Sequence, residues 1–237
     1  MFIFNIANKL SRAVLHNVPY QRRCQFNKQR MNKMSRTENE NRILAYVTGL
    51  LYYYGVMAID DLYNSVGEQI EGVRFADFLT LIEQNVLDDD SPYVFDFEDG
   101  VCFDIEVEDS EWVLAQQQKQ ASIPFRLVNE DEGAYVVEDR YPLLWVDEEQ
   151  AFFTWLVERC GNDCDLALAL ILDYAALLKN GLEPLELAKK IVMEMELSGV
   201  EEVQEVAELI MKFADATPQW ILKGWRESEM SLEDRTA

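Results

Sequence analysis

The sequence predicts a mostly helical protein with a small β-hairpin: short helices and the hairpin come first, and a series of longer helices follows. Three observations carry this. Apolar residues recur at spacings of three and four along most of the chain. Two segments around Glu98-Asp99-Gly100 alternate apolar with acidic residues, and glycines stand where the later periodic segments stop.

Residues 39–54 place Ile43, Leu44, Val47, Leu50, Leu51 and Tyr54 at helical spacing, which predicts one buried face, and Gly55 ends the run. Residues 59–66 predict a short helix opened by Asp60 and Asp61, whose charge suits the positive end of the helix dipole. A third helix spans 74–84, with Phe75, Phe78, Leu79 and Ile82 inward. Strands follow at 93–97 and 101–107, joined by a turn of hairpin chemistry. Three helices followed by a two-stranded hairpin is the order of a winged-helix module.

Residues 110–119 read as a helix and 121–145 as an irregular connector. Helices are then predicted at 147–159, 163–179, 184–197 and 200–214. Gly161, Gly181 and Gly199 close them, and Pro184 opens the third from a first-turn position. Loops of a few residues make these helices antiparallel neighbours, hence a small helical bundle. The expected organisation is a basic extension over 1–36, a winged-helix-like module over 37–108, a connector over 109–146, the bundle over 147–216 and a tryptophan-containing tail over 217–237.

Charge is the outstanding compositional fact. The chain has 21 Lys and Arg against 44 Asp and Glu, a formal net charge of −23. Residues 1–36 hold eight basic side chains and no acidic one, so the remainder carries −31. Such a body repels nucleic-acid phosphates and anionic membranes, and favours basic protein partners or simple colloidal solubility. The basic extension imitates a mitochondrial transit peptide or continues the reading frame upstream of a start at Met31 or Met34. The upstream extension is the expectation, because the body reads as bacterial. No apolar run has the roughly 18 residues a membrane span needs. The four cysteines, Cys24, Cys102, Cys160 and Cys164, are scattered as in a reducing compartment, so the expected location is the cytoplasm.

Most chemistries are excluded by what is missing. His16 is the single histidine and lies in the extension, which removes mechanisms built on a histidine base, a Ser-His or Cys-His pair, or a histidine ligand. Cys160 and Cys164 lack the further ligands that zinc requires, and read instead as small buried residues on adjoining helices. Gly67 and Gly72 precede Val73-Arg74 where a phosphate loop needs Lys then Ser or Thr. Asp88-Asp89-Asp90 and Glu130-Asp131-Glu132 do not follow the calcium-loop pattern and read as solvated loops. No catalytic residue, metal or cofactor is assigned. Direct DNA binding is not expected either, because the outer positions of the third helix and the hairpin are mainly acidic.

The aromatic clusters Tyr52-Tyr53-Tyr54 and Phe152, Phe153, Trp155 read as packing. In the tail, Pro218 turns the chain, Trp220 is expected to bury against the bundle, and Lys223, Arg226 and Glu227 set Trp225 at a solvent edge. The candidate partner contacts are Trp220, Trp225, Asp96, Glu98 and Asp99.

Leu50-Leu51-Tyr52-Tyr53-Tyr54-Gly55-Val56 with Asp61-Leu62-Tyr63, and Thr217-Pro218-Gln219-Trp220-Ile221-Leu222-Lys223-Gly224 with Glu229-Met230, resemble a set of uncharacterised bacterial proteins of Firmicutes type that often end in a metal-binding SEC-C segment. Here Trp225-Arg226-Glu227-Ser228 replaces the His-Thr-Pro-Asn of that pattern, and the cysteine-rich segment is absent. The resemblance therefore implies no activity. The expected function is that of a non-enzymatic adaptor or regulatory protein presenting acidic surfaces to a protein partner. The alternatives are an acidic nucleic-acid mimic, phage- or plasmid-borne, that inhibits a DNA-binding protein, and a metal-dependent enzyme working with carboxylates alone.

Overall fold

The structure is a computed structural model that describes residues 36–230. Apart from Arg36, the basic extension lies outside the described residues, as does the end of the tail. The described chain divides into two compact units, one holding residues 36–144 and 220–225, the other 145–219 and 226–230.

The first unit is built around α1 (Glu38–Tyr54). Thr37 opens this helix with a capping box: its hydroxyl accepts the Glu40 N–H at 3.2 Å, and the Glu40 carboxylate accepts the Thr37 N–H at 2.6 Å. Those hydrogen bonds hold the Glu40 carboxyl below its ordinary pKa. The expected single buried face is a correction: from Tyr46 onward α1 is buried on every side. One reason is α5 (Glu130–Val137), which lies within the segment expected to be irregular. A Cβ on Gly49 would stand 2.3 Å from the Gly133 Cα, so the backbones of α1 and α5 meet where neither residue has a side chain. Asn129 and Glu132 start α5 with a second capping box.

β1 (Val56–Ala58) follows Gly55, then α2 (Ile59–Gln69), α3 (Phe75–Val86), β2 (Phe95–Glu98) and β3 (Val101–Asp104). The sheet is antiparallel in the order β1-β3-β2, with Cys102 opposite both Met57 and Phe97. β1 is an addition to the sequence reading. Asp99 and Gly100 have φ of 50° and 80°, the left-handed pair that a two-residue hairpin turn requires. β3 stops at Asp104 rather than Val107, because the Asp104 carboxylate accepts the Glu106 N–H at 2.9 Å and turns the chain out of the ladder. α4 (Ser110–Lys119) is capped by Asp109, and a 3-10 turn at Tyr141–Leu143 follows α5.

The second unit comprises α6 (Asp147–Arg159), α7 (Cys164–Lys179), α8 (Pro184–Glu194) and α9 (Val200–Ala216), then a 3-10 turn at Glu227–Glu229. α6 packs on α7 and α9, and α8 on α7 and α9. Phe152, Tyr174, Leu187, Ile191, Val206, Ile210 and Phe213 form its interior. The Phe152 and Phe213 rings meet at 4.7 Å between centroids. α8 ends three residues before its expected limit, with Glu196 at a φ of 54° just beyond it.

Candidate functional site

The tail segment 220–225 completes the first unit. Trp220 is 1% exposed, and its indole Nε1 donates to the Tyr52 carbonyl at 3.1 Å. Gln117 Nε2 donates both to the Tyr54 carbonyl at 2.7 Å and to the Trp220 carbonyl at 2.9 Å. Two last-turn carbonyls of α1, of the kind a helix end leaves without an intrahelical donor, are thus served by side chains. Gly55, at a φ of 72°, makes room: a Cβ there would lie 2.5 Å from the indole Cγ. Burial of Trp220 agrees with the sequence reading, but its surroundings do not. It packs with Val56 and Val113, beside Val101 and Phe103, and belongs to the unit of residues 36–144.

Lys223 and Arg226 also correct the expectation of a solvent edge, since both are buried. Lys223 Nζ donates to the carbonyls of Gln120 and Ile123 at 2.9 and 2.8 Å and lies 5.4 Å from the Phe125 ring centroid. Burial draws its ammonium below the ordinary lysine pKa. Trp225 is half-buried, with Nε1 donating to the Pro124 carbonyl at 2.8 Å.

In the second unit, Arg226 Nε donates to the Ala216 carbonyl at the end of α9 at 2.6 Å, and Nη2 to Glu149 at 3.2 Å. Glu149, in the first turn of α6, also accepts the Val146 N–H at 3.0 Å. Cation at a helix C-terminus and anion at a helix N-terminus is the favourable arrangement on both dipoles. Desolvation still pushes the Glu149 carboxyl above its usual pKa, against the pull of Arg226 and Lys179.

Asp96, Glu98 and Asp99 stand together on the hairpin, all exposed. Asp96 pairs in register with Phe103 and Glu98 with Val101, so these acids share the sheet face that Trp220 packs beneath β3. On α3, Asp77 and Glu83 are exposed, and the neighbouring Arg74 is committed to Asp77 at 2.7 Å. The structure gathers the three hairpin acids into one surface, whereas Trp220 is interior and offers a partner no area.

The carboxylate runs serve as joints. Arg36 donates to Asp88 and to the Ser91 hydroxyl, each at 3.1 Å. Arg42 pairs with Glu130 at 2.9 Å and Arg126 with Glu132 at 3.0 Å. Arg36 and Arg42 lie 52 and 88 residues from their partners, beyond the reach of sequence reasoning, whereas Arg126 is only 6 residues from Glu132. Among the described residues, no three His, Cys, Asp or Glu side chains are grouped to hold a metal ion. Burial raises the Cys102 thiol to about 12 and the Cys160 thiol to about 11, whereas Cys164 is exposed, contrary to its expected burial. Both aromatic clusters are packing: Tyr52, Tyr53 and Tyr54 are buried in α1, as are Phe152 and Trp155 in α6.

Protein-family models, curated proteins and solved structures yield no match to this chain. No helix among the described residues is long and apolar enough to cross a membrane.

Proposed function

We propose that this protein is a non-enzymatic adaptor or regulatory protein that presents an acidic surface to a basic protein partner. The carrying observation is the exposed trio Asp96, Glu98 and Asp99 at the tip of the hairpin. The order α1-β1-α2-α3-β2-β3, with strands arranged β1-β3-β2, supports reading this unit as a winged helix. In such a module the third helix and the hairpin are the surfaces offered to a duplex, and here both meet phosphates with like charge. The same field attracts and orients a basic protein, and its reach shrinks with salt. The four packed helices of the second unit support the bundle reading. The two segments that carry the resemblance to SEC-C-associated proteins meet at Tyr52 and Trp220, which supports treating them as one structural element.

The test is affinity capture with the full chain from its native host, beside a variant carrying Asp96→Asn, Glu98→Gln and Asp99→Asn. A basic protein retained by the parent and lost by the variant is the expected result. Equal capture by both proteins, or a gel shift of duplex DNA at micromolar protein, would overturn the reading.

A further inference from the structure

The second unit carries a surface of a different kind. Leu185 and Met193 on α8, and Val200 and Met211 on α9, are 59%, 73%, 69% and 46% exposed. On α9, Val200, Val203, Ala207 and Met211 recur at steps of three and four, which places them along one side of the helix, next to the buried stripe of Val206, Ile210 and Phe213. On α8, Leu185 and Met193 are about 80° apart around the helix, with Lys189 on the face between them. The two helices pack on each other. The apolar stripe on α9 is about 17 Å long at 1.5 Å per residue, the length of three helical turns.

Its rim is acidic. Glu208 and Asp215 face solvent beside the stripe on α9, while Glu201, Glu205 and the single Lys212 are exposed further round the same helix. The lysines of α8 are engaged within their own helix, Lys189 with Glu186 at 2.6 Å and Lys190 with Glu194 at 2.5 Å. A second copy of this chain would bring acidic rim against acidic rim. An apolar stripe edged by carboxylates is complementary to a helix whose own apolar stripe is edged by Lys and Arg.

We propose that the outer side of α8 and α9 docks an amphipathic helix of a partner protein, with apolar side chains on the stripe of Val200 to Met211 and basic flanks on Glu208 and Asp215. This rests on the adaptor reading and gives it a second surface, independent of the hairpin.

The test uses a fluorescent peptide of about fourteen residues, leucine on one helical face and lysine on the other, titrated into the full chain by anisotropy at low and high salt. The expected result is saturable binding that weakens with salt. Met193→Ser with Met211→Ser, both at exposed positions, should weaken it roughly tenfold or more, as loss of two large apolar contacts does. A leucine–glutamate peptide of the same pattern should not bind, and the hairpin variant should bind like the parent. Binding that ignores the methionine changes, or that the hairpin variant alone abolishes, overturns this docking surface while leaving the adaptor reading intact. A dimer of the parent that the methionine changes dissolve overturns it too, since the occupant is then a second copy.

Discussion

Trp220→Ala probes how far the first unit depends on the tail. The side chain is almost fully buried between Gly55, Val56 and Val113, and its indole N–H is spent on the Tyr52 carbonyl. Deleting a buried tryptophan costs roughly 3 to 5 kcal/mol. The lost hydrogen bond adds about 1 kcal/mol. Domains of ordinary stability have about 5 to 15 kcal/mol in total, so this variant should remove a large share of the stability of the first unit. Trp220→Phe retains most of the apolar area and should cost only about 1 to 2 kcal/mol, the N–H and part of the ring. Trp225 is half-buried with one bond to Pro124, so Trp225→Ala should cost less than about 1.5 kcal/mol. Urea unfolding followed by circular dichroism compares the three. With two units a biphasic curve is the natural outcome, and the transition displaced by Trp220→Ala is that of the first unit. Coincident midpoints for Trp220→Ala, Trp225→Ala and the parent would refute the argument that this indole holds the tail to α1.

The Arg226–Glu149 pair gives a second prediction: Arg226→Leu alone should cost roughly 3 to 5 kcal/mol, because a buried carboxylate loses its partner, whereas Arg226→Leu with Glu149→Leu should cost much less than the two single changes added together. A double-mutant cycle by chemical denaturation measures this, and additive effects would mean the two groups do not interact. The third prediction concerns alkaline pH. Burial pushes the Cys102 thiol and the Tyr46 phenol each to about 12, from ordinary values of 9.0 and 10.0, and burial with Glu194 alongside raises Tyr174 further. The unfolded chain therefore releases protons that the folded chain retains, so stability is full below the ordinary values and falls as pH rises through them, by about 1.4 kcal/mol per pH unit for each group. Urea midpoints should fall steeply above pH 10, and tyrosine ionisation should coincide with loss of helix. Tyrosines that ionise fully near pH 10 in a protein that keeps its helical signal would contradict this.

Elements whose signals are local were legible in the sequence. α1 is announced by its periodic apolar residues, and Asp99-Gly100 supplies the two positive φ angles that make the hairpin. β1 was not legible, because three residues become a strand only when β3 arrives to pair with them. α5 was hidden by its own first turn: Glu130-Asp131-Glu132 looks like a solvated loop, although Asn129 three residues before Glu132 is a capping-box signature that could have revealed it. At the candidate site the exposure of Asp96 and Glu98 followed from strand alternation. The burial of Trp220 followed from its size, but its host did not, since nothing near it in sequence names Tyr52 or Gly55. Lys223 and Arg226 were misread for the same reason. A charged side chain reads as solvent-facing until the distant carbonyls and carboxylate that satisfy it are known.

The route of the chain through the two units also bears on biosynthesis. Residues 36–144 emerge first from a ribosome, yet the unit they belong to lacks its central tryptophan until the stretch 220–225 has been made. Through that interval the space at Gly55 and the sheet face of Val101 and Phe103 stay without their cover. Both units therefore close on residues made near the end of the described chain, the first on Trp220 and the second on Arg226, which partners the buried Glu149. A ribosome stalled before residue 220 would hold a nascent chain whose first half is exposed to chaperones and proteases.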